Sequence, residues 1–300
     1  MIMRQAVCPR VSIGVPVYNG ARYLPELLES LLAQTFTDFE VIVCDNASTD
    51  RTEEIGRAYA ARDERIRYVR NPTNLGATGN FRRSFDLSCG TYFRWAAADD
   101  VSAPQSLARC VEVLDREPDV VLAYPKTKFI DETGRVTSEY DDRLHIQCAR
   151  PSERFWQVVV RLGRCNALYG LMRADVLRRT GLLGDFLAAD MVFLPELSLY
   201  GTFWEIPEYL FYRRFHAAAS SAMDRAQVKV FYDPSKPGRI ALRKWRHLKE
   251  YLRAVERAPL DAAEKLRLRL YVARIAIGSR SELAGELFSA TRQLVAGALR

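Results

Sequence analysis

Between Val11 and Tyr124, short apolar runs alternate with stretches of helical period, and this alternation constrains the fold more than any other feature. Val11–Val17 (VSIGVPV) is rich in β-branched residues and predicts a strand. Leu24, Leu27, Leu28, Leu31 and Leu32 recur at helical spacing and predict a helix over Ala21–Gln34. Phe39–Cys44, Ile66–Arg70, Thr91–Ala97 and Val120–Tyr124 read as four further strands. Between them, Asp50 with Glu53 forms a capping box for a helix ending near Arg62. Asn80–Ser88 and Ser102–Asp115 read as the remaining helices of this part. Strand–helix–strand repetition implies a mostly parallel sheet with right-handed crossovers. Such sheets bind ligands at the carboxyl ends of their strands. The segments to inspect are therefore Tyr18-Asn19-Gly20, Asp45-Asn46-Ala47-Ser48, Asn71–Asn80 and Asp99-Asp100.

The chain has 300 residues, 48% hydrophobic and 27% charged, which excludes global disorder, collagen and a small disulfide scaffold. No apolar run is long enough to span a bilayer, and Met1–Arg10 lacks the apolar core of a signal peptide. Six scattered cysteines with no C-x-x-C pair argue against zinc and predict reduced thiols in a cytoplasmic protein. The middle of the chain is less regular. Helices are expected over Pro151–Leu162, Asp175–Thr180 and Asp190–Gly201, a polar stretch over Asp131–Arg143, and a segment with strand-like ends over Cys165–Arg173. Tyr232–Pro237 reads as a linker, and Ile240–Arg300 as helical with a break near Pro259. The net charge of +7 is uneven: residues 239–300 carry 14 Lys+Arg against 6 Asp+Glu, whereas residues 1–238 are close to neutral.

The sequence has no G-x-G-x-x-G after its first strand and no G-x-x-x-x-G-K-[ST]. That counts against a dinucleotide enzyme and a P-loop NTPase. Nucleotide phosphates would then need a cation held by carboxylates. Asp99-Asp100 is the natural pair, because a cation relieves the repulsion between adjacent carboxylates. Its plain alternative is a solvated loop with a helix cap. Asp45 at a strand end suits a hydrogen bond from a pyrimidine imide, and Tyr18 suits stacking on the base. Their plain alternatives are an ordinary turn and a core tyrosine.

Taken together, Pro16-Val17-Tyr18-Asn19, Asp45-Asn46-Ala47-Ser48-Thr49-Asp50, Asn74-Leu75-Gly76-Ala77-Thr78-Gly79-Asn80 and Asp99-Asp100 resemble family 2 of the inverting GT-A glycosyltransferases. The strong resemblance covers about residues 11–125, and a weaker one runs to about residue 220. It implies an α/β GT-A fold, a nucleotide-diphospho-sugar transferase with a Rossmann-like, mostly parallel sheet and a helical C-terminal extension. The catalytic domain would cover residues 1–238, with a nucleotide-binding half at 11–125 and an acceptor half at 126–238. The basic extension would cover residues 239–300. The implied activity is metal-dependent, inverting transfer of a sugar from a nucleoside diphosphate to an acceptor hydroxyl, using Mg²⁺ or Mn²⁺.

By the same resemblance, Asp45 recognises the base and Pro16 and Tyr18 wall the nucleoside pocket. Asn74 and Asn80 line the donor pocket, Asp99 faces the ribose or donor sugar, and Asp100 ligates the metal. The D-x-D of the family would begin at Ala98, which is not acidic here. Asp190 matches the catalytic base at a helix start, with Asp185 as its competitor, although Ala189 stands where Glu is usual. His216, within Tyr212-Arg213-Arg214-Phe215-His216, resembles a segment that closes the active site. It would complete the metal shell or bind phosphate, as would Arg213 or Arg214. Asn166 would face the acceptor.

The expected donors are UDP- or dTDP-sugars, with GDP allowed. The acceptor is a glycan, a lipid-linked saccharide or a natural product, and nucleic acid is not expected. The Q-x-x-R-W segment of processive synthases is absent, which favours single addition. The basic tail has two readings: helices packed on the catalytic domain, or a surface that touches anionic lipid at the inner face of the membrane. The competing functions are a sugar-phosphate nucleotidyltransferase and a non-catalytic nucleotide-sugar or glycan-binding module.

Overall fold

The computed structural model describes residues 8–217 and 242–298, and side chains as far as residue 292. Its centre is a nine-stranded mixed sheet. In chain order the strands are β1 (Val11–Val17), β2 (Phe39–Asp45), β3 (Ile66–Arg70), β4 (Tyr92–Trp95), β5 (Val101–Ser102), β6 (Val120–Ile130), β7 (Val136–Tyr140), β8 (Leu171–Arg173) and β9 (Thr202–Arg214). Their spatial order is β3-β2-β1-β4-β8-β6-β9-β5, with β7 added to β6. β1 to β4 pair in parallel, as the alternation predicts. β8 enters antiparallel between β4 and β6, and β9 runs parallel to β6.

The helices of the first half are α1 (Leu24–Leu32), α2 (Thr52–Arg62), α3 (Gly76–Asp86) and α4 (Ser106–Arg116). Those of the second half are α5 (Pro151–Arg161), α6 (Ala174–Leu177) and α7 (Asp190–Ser198). The C-terminal part adds α8 (Arg243–Arg257), α9 (Ala262–Gly278) and α10 (Arg280–Ala298). Pro259 falls in the break between α8 and α9, where its ring cannot continue a helix. The linker expected at Tyr232–Pro237 and the domain boundary at residue 238 lie outside the described residues.

Side chains alternate across the strands and feed two cores. On one face, Val11, Ile13 and Val15 pack with Leu24, Leu28, Leu107 and Val111 of α1 and α4. On the other, Phe93 and Trp95 pack with Leu122, Leu168, Phe193 and Leu197. A third cluster joins Phe155 and Val192 to Tyr251, Val255, Leu268 and Val272, so α8 and α9 dock on α5 and α7.

Several sequence expectations move. The helix expected from Asn80 begins at Gly76, which takes a φ of 73° that suits glycine. Ser102 belongs to a two-residue strand rather than to the next helix. β9 has thirteen residues and was not anticipated. Its pairing to β6 shifts register between Pro125 and Thr127, so no clean two-residue alternation marks it in the sequence. Cys8 and Cys89 are joined as a disulfide with Cα atoms 5.7 Å apart, which corrects the expectation that all six thiols are free.

Asn80 ties the sheet edge together. Its Nδ2 donates to the Cys44 carbonyl at 2.7 Å and to the Val17 carbonyl at 3.4 Å. Its Oδ1 accepts from Asn71 Nδ2 at 2.8 Å. The amide is buried, so its loss strands two carbonyls and a donor away from water. Asn80→Ala is expected to lower the unfolding free energy by about 1–3 kcal/mol, read from urea titration.

Candidate functional site

The loops after β1 and β2 are sewn to each other. Asp45 Oδ1 accepts from the Ser48 amide, and Ser48 Oγ accepts from the Asn19 amide. Asn19 Oδ1 accepts from the Thr49 amide, Asp50 from those of Ala21 and Thr52, and Thr52 Oγ1 from that of Gly20. The D-x-x-S-T-D turn is thus a set of short acceptors that satisfies a strained edge. Asn19 and Ala47 both hold φ values near the left-handed region, 52° and 61°, which non-glycine residues rarely adopt. Cys165 and Ala188, farther along the chain, do the same.

Tyr18 projects from the end of β1 with 45% of its surface exposed, free to stack on a planar ligand. Asp45 is fully buried and already accepts from the Tyr68 hydroxyl, Arg70 Nη1 and the Ser48 amide. A base reaches it only where Arg70 or Tyr68 gives way. Tyr68 and Arg70 are therefore partners of Asp45 that motif reading missed. They sit on β3, in register beside Val43 and Asp45, a relation set by sheet pairing.

Two expected positions turn inward, and a third is spent on its own loop. Pro16 is buried in β1 and exposes no wall. Asn80 is the brace described above. Asn74 is exposed, but its Oδ1 accepts from Asn46 Nδ2 and the Gly76 amide, so it fixes the loop.

Asp99 and Asp100 follow β4 and meet the end of β9. The Arg214 amide donates to Asp100 Oδ1 at 2.8 Å, and His216 Nε2 lies 3.0 Å from Asp99 Oδ2. Burial, reinforced by the Asp99 charge, pushes the Asp100 carboxyl well above the usual range. A buried carboxyl beside a second carboxylate and an imidazole is a donor set that suits a divalent cation. No group of three such ligands is assembled among the described residues. That is compatible with Mg²⁺ or Mn²⁺, since magnesium is usually held by one or two carboxylates plus substrate phosphates.

Arg214 was a phosphate candidate, but its guanidinium is committed to the protein. It is buried and donates to the carbonyls of Asp99 and Asp131 and to Glu26 Oε2. Arg213 takes the better position. Its Nη1 donates to the Arg164 carbonyl and to Asn166 Oδ1, both at 2.7 Å. Burial opposes its charge, yet Tyr169, Asp100 and Asp99 hold it firmly protonated. Asn166, expected to face the acceptor, is instead buried between Arg213 and Asp142, donating its Nδ2 to Asp142 Oδ2 at 3.0 Å. Asp142 is a residue the sequence did not single out, because it lies in a polar stretch with no local pattern.

Asp190 opens α7 and accepts from the Met191 amide at 3.0 Å. It is partly exposed. The buried Tyr169 hydroxyl is held protonated first by burial, and the charges of Arg213, Asp100, Asp99 and Asp190 all act on it. Asp185 lies apart, exposed on a groove of about 490 Å³ bounded by Arg82, Glu196, Arg246, Glu250, Arg253 and Arg257.

The family model described as "Glycosyl transferase family 2" matches residues 12–169. An uncharacterized glycosyltransferase of Methanocaldococcus jannaschii is 33% identical over 134 residues, covering 44% of this chain and 46% of its own length. One from Rickettsia prowazekii is 26% identical over 239 residues, covering 75% of this chain and 70% of its own. The chain spans only 19% of the Escherichia coli chondroitin synthase, at 32% identity over 130 residues and 43% of this chain. Among solved structures, Staphylococcus aureus TarS 1–349 in complex with UDP-GlcNAc superposes with a TM-score of 0.65 at 18% identity. That match covers 90% of this chain and 73% of that one. The mannosyltransferase PcManGT of Pyrobaculum calidifontis, in complex with GDP-Man and Mn²⁺, gives 0.52 at 17% identity, covering 98% and 87%. At these identities the two structures speak to the fold.

Burial pushes the Asp142 carboxyl up to about 6, with hydrogen bonds from Asn166 pulling the other way. A carboxyl raised in the folded state binds more protons folded than unfolded between pH about 4 and 6. Its contribution to stability is therefore largest below pH 4 and declines as pH rises through 6. Asp142→Asn cannot titrate, so wild type should lose stability relative to this variant across that window. Denaturant midpoints of the two proteins between pH 4 and 7 check it.

Proposed function

The chain belongs to glycosyl transferase family 2, and on that premise we propose that it moves a sugar from a nucleoside diphosphate to an acceptor hydroxyl with inversion. The fold is that of the GT-A transferases, with a helical C-terminal part. The observation that carries the reading is the meeting of the loop after β4 with the end of β9, where the Arg214 amide donates to Asp100 and His216 Nε2 lies 3.0 Å from Asp99 Oδ2. That carboxylate pair suits a leaving diphosphate, and Asp190 at the start of α7 offers the carboxylate that an attacking hydroxyl needs.

Tyr18 stacks on the base, and Asp45 with Tyr68 and Arg70 reads its edge. UDP- or dTDP-sugars are favoured because their imide N–H suits the Asp45 carboxylate, and GDP is allowed by guanine N–H groups. Asp100, with Asp99 and His216 beside it, would hold Mg²⁺ or Mn²⁺, which supplies positive charge to the leaving diphosphate. Arg213 donates to the same phosphates, held in place by Asn166 and Asp142. Asp190 takes the proton of the acceptor hydroxyl as that oxygen attacks the anomeric carbon, and the bond to the diphosphate oxygen breaks. The acceptor is a glycan, a lipid-linked saccharide or a natural product, bound by residues 126–238. Residues 239–300 would form a helical extension, whose α8 and α9 pack on α5 and α7.

Asp190→Asn keeps the shape but removes the basic site, so kcat should fall by about 10²–10⁴ while the nucleotide Kd stays within about threefold. Asp185→Asn should leave turnover near wild type. Steady-state transfer and nucleotide titration separate these outcomes. The reverse ranking moves the base to the outer groove, and near-normal turnover in both variants denies a carboxylate base at either position.

Asp100→Asn should abolish transfer and weaken nucleotide binding in Mn²⁺ while leaving the fold intact, since it removes a repulsive carboxylate pair. Transfer by the wild-type protein that continues in EDTA would remove the metal from this scheme.

A further inference from the structure

Seven of the eleven large apolar side chains exposed among the described residues lie between Trp245 and Phe288, on the three C-terminal helices. α9 is apolar on two opposite sides. One side buries Leu268 and Val272 in the cluster shared with α5, α7 and α8. The other exposes Leu266, Leu270 and Ile277 to 56%, 62% and 65%. At helical periodicity these three and Ala273 fall within an arc of about 60°. α10 adds Leu287 and Phe288, the latter 67% exposed.

The charges on these helices are sorted. Arg267 and Arg274 flank the α9 stripe on one side and Arg269 on the other, all exposed. The only carboxylate of α9, Glu264, is buried on the docked side, accepting from the Ser152 amide and from Arg267, and Arg269 pairs with the exposed Glu256 of α8 at 2.7 Å, which leaves Arg274 as the α9 arginine with no carboxylate partner among the described residues. In α10, Glu282 pairs with Lys244 Nζ at 3.1 Å and Glu286 accepts from the Lys244 amide, so both acids are engaged by the start of α8. Arg280 and Arg292 are exposed. The outer surface therefore presents leucine, isoleucine, phenylalanine and arginine.

A second copy is a poor occupant. A symmetric contact through this stripe would set Arg267, Arg269 and Arg274 against their own counterparts, and like charges flanking a helix seam oppose pairing. A surface of acyl chains and anionic headgroups satisfies both features at once. Leucine and isoleucine enter the acyl boundary, while arginine stems lie along apolar groups and their guanidinium ends stay at the phosphates. We propose that α9 and α10 dock this protein on an anionic membrane surface. This attachment is independent of the sugar-transfer reading and stands or falls without it.

The test is sedimentation of the full chain with vesicles of phosphatidylcholine alone or mixed with phosphatidylglycerol. Binding is expected to the mixed vesicles, falling as salt rises to about 0.5 M. The triple variant Leu266→Glu/Leu270→Glu/Ile277→Glu should lose binding by about tenfold or more, with its circular dichroism unchanged. Arg274→Gln/Arg280→Gln should lose about fivefold per charge and bind with a weaker salt dependence. Val136→Glu, an exposed apolar position on β7, should bind as wild type. Equal binding to both vesicle types, binding to neither, or a triple variant that binds normally would overturn the proposal. So would light scattering that shows a soluble oligomer which the triple variant dissolves, because the stripe would then be an interface between protein chains.

Discussion

The sheet edge depends on one buried cation. Arg214, the last residue of β9, donates its amide to Asp100 and its guanidinium to Asp99, Asp131 and Glu26. Its guanidinium also lies 4.8 Å from the Tyr23 ring centroid. It thereby fastens the end of a late strand to the loop after β4 and to α1. A buried guanidinium without such partners would be costly, so each contact is also a constraint on where the others lie. With Arg214 fixed, Arg213 and His216 on either side of it are delivered to the carboxylate pair. Two adjacent arginines thus have different fates: one fastens β9 to the loop after β4 and to α1, and its neighbour donates to Arg164 and Asn166.

Buried polar groups recur around this edge for the same reason. Asn80 bridges the ends of β1 and β2, and Asn166 bridges Asp142 and Arg213. Each is an amide, which donates and accepts at once and so joins a carbonyl or carboxylate to a second group without net charge. The left-handed backbone at Asn19 is held by its amide hydrogen bond to Ser48 Oγ and by the Thr49 amide on its side chain. The loops after β1 and β2 are therefore fixed by their own hydrogen bonds, and the proposed base contact at Asp45 requires those from Tyr68 and Arg70 to open.

The C-terminal helices show how one segment can serve two environments. The inner side of α9 completes a core that α5 and α7 would otherwise leave open to water. The outer side repeats the apolar pattern with no protein against it among the described residues. A basic sequence alone fits either a solvated helix or a membrane contact. The proposed membrane contact rests on the placement of the acids, since Glu264 is buried on the docked side and Glu282 and Glu286 are engaged with Lys244.

The sequence by itself determined the parallel core β3-β2-β1-β4, the helices between those strands and the loops that carry Tyr18, Asp45 and Asp99-Asp100. Each is a local pattern, because strand and helix periods and turn residues act within a few positions of one another. It also determined that Asp190 begins a helix. Tertiary structure alone decided which polar residues are spent on architecture. Nothing local separates Arg213 from Arg214, or shows that Asn80 and Asn166 are braces, or brings Asp142 into the site. The roles of Arg213, Arg214 and Asn166 arise where β9 pairs with β6 and β5, about a hundred residues after β4, and that of Asn80 where α3 meets the ends of β1 and β2. A side chain's hydrogen-bond partners across such a distance are set by register and burial, which the sequence near it does not contain.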